Sequence, residues 1–165
     1  MRTWIAALML MPVLAGCAAG GPLAEETASR EPSPAAVAES GAVPEGREML
    51  WGGRIVRVSN EAEATRLEVL AYPLERDQRP DVYDRPAQGR FVVVHPGFLD
   101  PVDYAPGRVV TVRGPVTDIV RGRVGDAEYA WPQVQAKDLH RWPRDPDPYR
   151  NPPRFEVRAG ILFSN

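Results

Sequence analysis

The chain has 165 residues, a formal net charge of −2 and a single cysteine, Cys17. Its 20 basic and 22 acidic residues nearly balance. This balance argues against nucleic acid as a partner, because nucleic acid binding depends on neutralising phosphates. The length suits one domain with one core, and the lone cysteine leaves no second thiol for an internal disulfide.

The first sixteen residues follow the order of a secretory signal. Arg2 gives a positively charged start, Trp4 to Leu14 is apolar apart from Pro12, and Ala15-Gly16 supplies small residues at a cleavage site. The apolar run is too short to cross a bilayer, which takes about 20 residues. We therefore predict a signal peptide over residues 1–16. Its removal takes one basic and no acidic residue, which leaves a net charge of −3.

Cys17 directly follows Leu14-Ala15-Gly16, and this order resembles the lipobox of bacterial lipoproteins. The resemblance implies that the thiol takes a diacylglyceryl group, that the leader is cut before Cys17, and that the new amine is acylated. Cys17 would then anchor the protein in the membrane, since several acyl chains bind a bilayer far more firmly than one. A small neutral residue at Ala18 accompanies passage to the outer membrane in such lipoproteins. The alternative is an ordinary secretory leader with a chance cysteine.

Residues 17–48 are rich in Ala, Glu, Ser, Pro and Gly and poor in bulky apolar side chains. Such a composition predicts a flexible linker between the lipid anchor and the folded part. About 30 residues would reach roughly 30 Å as a coil and about 90 Å in the polyproline form. Within the linker, Pro34 to Ser40 predicts two helical turns, with Ser33 as the N-cap and Gly41 as the stop.

The folded part is predicted to start at Met49. Trp51–Val58 and Thr65–Tyr72 are β-branched or alternating segments, and they are close enough in sequence to pair as a hairpin. The glycines Gly52-Gly53 predict a bulge or sharp bend. Residues 73–88 are dense in Pro, Asp, Arg and Gln, which predicts a long surface loop.

Three further strands are predicted in the second half of the domain. Gly89–His95 is an unbroken apolar run, which is typical of a strand covered on both faces. Arg108–Val120 predicts one long strand that bends at Gly114-Pro115. Gly125-Asp126 predicts a hairpin turn, and Ala127–Leu139 predicts the returning strand.

Five strands without a convincing helix between them predict an all-β fold, a small antiparallel OB-like β-barrel over residues 49–142. Closure would remove the exposed strand edges that invite pairing with other chains. A small β-sandwich is the competing architecture. Residues 143–165 form a Pro-rich tail that we expect to be extended or disordered, although Phe155–Phe163 is apolar enough for an edge strand.

Several sequence blocks resemble the Slp family, starvation-inducible lipoproteins of the bacterial outer membrane. The blocks are Trp51–Val56, Gly89–Phe91, Gly97–Pro101 with Tyr104, and Gly107–Gly114. The resemblance implies an OB-like β domain, a lipid anchor in the outer membrane with the domain facing the periplasm, and an association with nutrient limitation or stress. It implies no known chemical activity.

The positions of the titratable residues in the sequence do not indicate a catalytic or metal centre. His95 and His140 lie at the ends of different predicted strands, whereas a structural metal site takes about four ligands. Asp100 and Asp103 flank a proline, which is typical of a turn whose aspartates bond to backbone amides. We therefore predict that the protein is not an enzyme and holds no metal or cofactor.

The sequence of the first predicted hairpin does not indicate a phosphate-binding site. Its glycines precede a strand, whereas the dinucleotide fingerprint opens a helix. Arg54, Arg57 and Arg66 could line one face of the hairpin, but alternating charges on a solvated strand face explain them better.

The aromatic residues Tyr129, Trp131 and Trp142 leave two functions open. They could form a stacking surface for ligands on the barrel, or they could fill its core. One prediction is a non-catalytic module that contacts envelope proteins or peptidoglycan. The alternative is an OB-type ligand-binding domain or weak hydrolase that acts on cell-wall sugars.

Overall fold

A computed structural model describes residues 21–24 and 28–144 of the chain. The predicted signal peptide, Cys17 and residues 145–165 of the predicted tail lie outside these residues. The described part is mostly β-structure with one short helix. Its elements in chain order are β1 (Ala28–Ser29), α1 (Pro34–Ser40), β2 (Glu48–Asn60), β3 (Ala64–Tyr72), β4 (Arg90–Pro96), β5 (Val109–Val124), β6 (Ala127–Gln135) and β7 (Asp138–Arg141).

Five strands pair in a closed ring. β2 pairs with β3, β3 with β4, β4 with β6, β6 with β5, and β5 returns to β2. The pairings in the ring are antiparallel except for the parallel pair of β4 and β6, in which Val93 lies opposite Val134. The short strands β1 and β7 add to β2 and β5. The predicted mostly-β fold and the hairpin of β2 and β3 are confirmed.

β2 pairs on both sides where its two glycines lie. Gly52 and Gly53 are opposite residues of both β3 and β5. A methyl group at Gly53 would overlap the Leu70 carbonyl oxygen, and one at Gly52 would lie 2.7 Å from the Val110 carbonyl oxygen. The glycines therefore allow close backbone approach. The β-bulge predicted near them lies farther along, between Ile55 and Arg57.

β5 is one long strand that changes partner near its middle. Its residues up to Pro115 pair with β2, and those from Val116 pair with β6. A side chain at Gly114 would overlap the Gln135 carbonyl oxygen, and the register shifts between Val116 and Asp118. The predicted interruption at Gly114-Pro115 therefore marks a real change of partner in the sheet.

The predicted turn at Gly125-Asp126 and the returning strand are confirmed up to Gln135, but the prediction of one strand over residues 127–139 is wrong beyond that point, because the structure begins a separate strand, β7, at Asp138. Between β6 and β7, Ala136 N–H donates to the Val94 carbonyl oxygen and Lys137 N–H donates to the Arg113 carbonyl oxygen, both at 2.9 Å. The backbone thus passes from β4 to β5 within two residues. The alternation of buried Val134 and Ala136 continues through this crossing, so the side-chain pattern did not reveal it.

The core is one cluster of buried apolar side chains. Leu67, Val69 and Ala71 face it from β3, as the alternation predicted, and Trp51 meets Phe91 edge to face with ring centroids 5.5 Å apart. Edge-to-face pairs stabilise a core beyond the area that they bury. The other members of the cluster are Val37, Met49, Ile55, Val93, Leu99, Val110, Val112, Val116, Val134 and Ala136.

Residues 28–40, before β2, are packed against the ring, which differs from the flexible linker predicted for residues 17–48. β1 pairs in parallel with the start of β2. Val37 of α1 is buried in the core cluster, and Trp51 Nε1 donates to the Pro32 carbonyl oxygen at 3.1 Å. One apolar side chain on a short helix is enough to dock the segment, so its low apolar content was misleading.

The predicted helix α1 is confirmed together with both of its ends. Ser33 Oγ accepts from Ala36 N–H at 3.3 Å, which caps the first turn. Gly41 has φ 65° and its N–H donates to the Val37 carbonyl oxygen, which ends the helix.

Candidate functional site

The chain shortly after the predicted lipidation site is held by the side chain of Gln78. Cys17 itself lies outside the described residues. Gln78 Nε2 donates to the Leu23 carbonyl oxygen at 2.8 Å, and Gln78 Oε1 accepts from Leu23 N–H at 2.9 Å. The amide thus satisfies both backbone groups of Leu23, as a paired strand would.

Gln78 is well fixed to serve this contact. It lies in the predicted surface loop between β3 and β4, yet it is fully buried. Its φ of 71° is uncommon for a residue with a side chain. Its carbonyl oxygen accepts from the buried Thr111 Oγ1 at 2.8 Å. Gln78 was not predicted from the sequence, because a single Gln within a charged loop carries no periodic signal.

This contact limits how far the folded part can lie from Cys17. Leu23 is six residues after Cys17, and a fully extended chain spans about 3.5 Å per residue, or about 20 Å over six residues. The reach is therefore much shorter than that expected of a flexible linker over residues 17–48.

Of the three predicted stacking residues, the structure brings two together. The Tyr129 and Trp131 rings lie on β6 with centroids 5.2 Å apart. Both are half-buried, and Trp131 packs over Gly122 of β5, where an added Cβ would lie 2.8 Å from the indole. Within the described residues, the buried Trp131 Nε1 has no hydrogen-bond partner. A broad surface cavity of about 600 Å³ adjoins Tyr129.

Trp142, the third predicted stacking residue, contacts a different set of residues. Its ring meets His140 edge to face at 4.6 Å, and its Nε1 donates to Thr111 Oγ1 at 2.9 Å. The Arg79 guanidinium lies 5.7 Å from the ring centroid. Trp142 thus belongs to the neighbourhood of Gln78 through their shared partner Thr111.

The titratable residues weighed as catalytic candidates make structural contacts. Asp100 Oδ1 accepts from Val102 N–H at 2.8 Å, which confirms its predicted turn role. Asp103 lies 3.4 Å from the Arg141 guanidinium. Among residues 21–24 and 28–144, no group of three or more His, Cys, Asp or Glu residues could hold a metal ion.

The block Gly97–Pro101 is fastened to the ring by Thr65. The Thr65 hydroxyl oxygen accepts from Leu99 N–H at 3.0 Å and lies 2.9 Å from the Gly97 carbonyl oxygen. Leu99 is thereby held in the core cluster. Its neighbour Phe98 is 72% exposed and Val102 is 75% exposed, so the fixed loop presents two apolar side chains to its surroundings.

A network of charged groups ties β2, β5 and β7 together. Arg113 Nη1 lies 2.6 Å from Glu48 Oε2, and Arg113 Nε donates to Asp138 Oδ2 at 2.8 Å, while Lys137 also binds Glu48. The hydrogen bond from Lys137, aided by the charges of Lys137 and Arg113, holds the pKa of Glu48 below its usual value. The hydrogen bond to Asp138 raises the pKa of Arg113.

Arginines from separate parts of the chain line one small cavity. Arg54 from β2, Arg108 from just before β5 and Arg144 from after β7 border about 160 Å³ of space together with Tyr83 and Pro143. The Arg54 guanidinium lies 5.8 Å from the Tyr83 ring centroid. Burial, and then the charges of Arg141 and Arg144, lower the pKa of Arg108. Arg54 was predicted to lie on a solvated strand face, and the sequence did not predict this cavity.

A β domain that is held close to a predicted lipobox indicates a membrane-anchored lipoprotein. The profile of the outer membrane lipoprotein Slp family matches residues 14–160. The chain therefore belongs to the Slp family and is a lipid-anchored protein of the bacterial outer membrane.

Three curated relatives resemble the chain over about 90 to 100 residues. It is 40% identical over 97 residues to the uncharacterized lipoprotein YeaY of Escherichia coli, covering 59% of this chain and 49% of that protein. It is 32% identical over 91 residues to an uncharacterized protein of Haemophilus influenzae, covering 55% and 49%. It is 30% identical over 97 residues to the outer membrane protein Slp of E. coli, covering 59% and 50%.

The chain thus spans about half the length of the curated relatives that it matches. No solved structure matches it. Among the described residues, no helix has the length and apolar character needed to cross a membrane.

Proposed function

We propose that the protein is a non-catalytic envelope module, in which acyl chains on Cys17 hold an OB-like domain close to the outer membrane. The observation that carries this proposal is the pair of hydrogen bonds between Gln78 and Leu23. They fasten the folded domain six residues after a predicted lipidation site, so the domain stays within about 20 Å of Cys17.

The order of strands supports an OB-like barrel. Numbered along the chain, the five strands of the ring meet in the order first, second, third, fifth, fourth. The long β5 therefore crosses over to lie beside β2 before the chain returns as β6, which is a Greek-key connection. A five-stranded Greek-key barrel is the OB architecture.

The lipid anchor itself rests on sequence. Signal-peptide cleavage before Cys17 and acylation of its thiol and amine would leave residue 17 as the first residue. The domain would then face the periplasm, and the family resemblance supports an association with nutrient limitation or stress.

The exposed loop of Phe98 and Val102 is the part best suited to contact other envelope components. Both side chains are more than 70% exposed, while Thr65 and Leu99 fix the loop that carries them. A rigid apolar projection can bind a partner without a cost for ordering the loop. Envelope proteins and peptidoglycan are the candidate partners.

The anchor is tested by mass spectrometry of the mature amino terminus and by Cys17→Ser. We expect a triacylated Cys17 with residues 1–16 removed, and we expect Cys17→Ser to release the protein from membranes washed in high salt. Ala18→Ser, which keeps the cysteine, is the control and should remain bound. A Cys17→Ser protein that still sediments with the outer membrane would refute the anchor.

The contact surface is tested in cells with a photoreactive amino acid placed at Phe98. The control position is Asp126, an exposed residue in the turn between β5 and β6. We expect crosslinks to envelope components from position 98 and few from position 126. Equal yields from both positions would remove the support for a specific contact surface.

The second candidate function is binding of cell-wall sugars at Tyr129 and Trp131. The observation in its favour is the pair of rings on β6, whose centroids lie 5.2 Å apart and of which Tyr129 lines a surface cavity of about 600 Å³. Aromatic faces stack on sugars and bases. Saturable binding of peptidoglycan fragments that is lost in Trp131→Ala and kept in Trp142→Ala would favour this function. No binding by the unaltered protein would exclude it.

A further inference from the structure

The arginine cavity gathers positive charge from distant parts of an acidic protein. Arg54, Arg108 and Arg144 are separated by 54 and 36 residues in sequence, yet all three line the same 160 Å³. The chain as a whole has a net charge of −2. Like charges at close range repel one another, so an anion in this cavity would relieve the repulsion between the arginines.

Among the described residues, the charge of Asp103 opposes the positive charge of Arg108 in part, but Asp103 forms its ion pair with Arg141. Other arginines form ion pairs, as Arg113 does with Glu48 and Arg90 does with Glu68, both at 2.6 Å. Within residues 21–24 and 28–144, no ion pair involves Arg54, Arg108 or Arg144. In the same part of the chain the buried Arg108 Nε also has no hydrogen-bond partner.

We propose that this cavity binds a phosphate group, with Arg54, Arg108 and Arg144 as its hydrogen-bond donors. A guanidinium presents several N–H groups in a planar fork that matches phosphate oxygens. Inorganic phosphate offers four acceptor oxygens to three such forks, and a phosphodiester headgroup offers two non-bridging and two ester oxygens, whereas a carboxylate offers two oxygens. Tyr83 and Pro143 form the less polar wall of the cavity.

A chain of contacts links the cavity to the point that holds the N-terminal segment. Arg108 Nη2 donates to the Trp142 carbonyl oxygen at 3.1 Å, and Trp142 Nε1 donates to Thr111 Oγ1 at 2.9 Å. Thr111 in turn bonds to Gln78, which holds Leu23. This link places the cavity on the part of the fold that is tied to the anchored segment. Two sources of phosphate have the required chemistry: the headgroup of a lipid in the membrane that carries the anchor, and a soluble phosphate.

The proposal is tested by isothermal titration calorimetry on the full mature protein in a non-ionic detergent and a buffer without phosphate. Inorganic phosphate and the short-chain lipid dihexanoylphosphatidylglycerol are the two probes. We expect one site per chain. Tighter binding of the lipid identifies a headgroup as the source, and equal or tighter binding of inorganic phosphate identifies a soluble phosphate.

The test variant is Arg54→Gln/Arg144→Gln, and the matched control is Arg121→Gln/Arg123→Gln, which changes the net charge equally but lies on β5, outside the cavity. We expect at least about a tenfold loss of affinity in the test variant and little change in the control. The single variant Arg144→Gln, at an exposed position, gives the same readout if the double variant unfolds. No binding of either probe, or an equal loss in the control, would overturn the proposal and leave the lipid anchor untouched.

Discussion

The side-chain amide of Gln78 holds Leu23 as a neighbouring strand would, donating to its carbonyl oxygen at 2.8 Å and accepting from its N–H at 2.9 Å. Gln78→Ala should remove both bonds and leave the partly buried backbone groups of Leu23 without protein partners. We expect a loss of about 1–3 kcal/mol in the free energy of unfolding, measured by urea denaturation. Protease cleavage between residues 17 and 28 should also become faster.

Two further variants isolate this contact. Gly21→Ala should act like Gln78→Ala, because a Cβ at Gly21 would overlap the Gln78 side chain. Gln88→Ala, in the same loop, removes an amide that is not bonded to Leu23 and should change the stability little. If Gln78→Ala and Gln88→Ala behaved alike, Gln78 would not hold the segment.

The packing of α1 predicts different effects for two valines. Val37 is 1% exposed and lies in the core cluster, whereas Val102 is 75% exposed. Val37→Ala should lower the free energy of unfolding by about 1–3 kcal/mol through lost burial and a residual cavity. Val102→Ala should change it by less than about 0.5 kcal/mol. Equal effects in thermal denaturation would mean that α1 does not dock on the ring.

We expect the Thr65 hydroxyl to stabilise the fold through its hydrogen bonds, in addition to the volume that the side chain fills. Thr65→Val preserves volume but deprives Leu99 N–H of its acceptor, so we expect a loss of about 1–3 kcal/mol in the free energy of unfolding. Thr117→Val is the matched control, since the Thr117 hydroxyl is exposed and forms only long contacts of 3.4 Å. A Thr65→Val protein as stable as Thr117→Val would show that the loop of Phe98 is held in another way.

The charged network of Glu48 predicts a dependence of stability on pH. Because the pKa of Glu48 in the folded protein is below its usual value of 4.5, the network contributes fully above about pH 5 and loses its contribution as the pH falls through the folded pKa. The difference in urea midpoint between the unaltered protein and Glu48→Gln should therefore be constant near neutral pH and shrink in acid.

Glu39→Gln provides the control for this pH dependence, since Glu39 lies exposed on α1. Its urea midpoint should follow that of the unaltered protein at every pH. A difference between Glu48→Gln and the unaltered protein that stays constant down to about pH 3 would contradict the lowered pKa of Glu48.

Local signals predicted the local structure well. Ser33 and Gly41 predicted both ends of α1 because capping depends on residues within one turn. The alternation along β3 predicted its buried face for the same reason. The bonds between Gln78 and Leu23 join residues 55 positions apart, and the three arginines of the cavity are at least 36 positions apart. Both were missed because contacts over such distances leave no periodic trace in the sequence. The crossing between β6 and β7 was missed because side-chain alternation does not record which strand the backbone bonds to.

The pairing of β2 with β5 has a consequence for export. It joins residues that are 55 to 67 positions apart, from Arg54 with Val109 to Glu48 with Pro115. Contacts between distant residues form slowly, and this one cannot form until β5 has been synthesised. We therefore expect the emerging polypeptide to stay unfolded long enough to be threaded through a secretion channel, with the ring closing only after translocation.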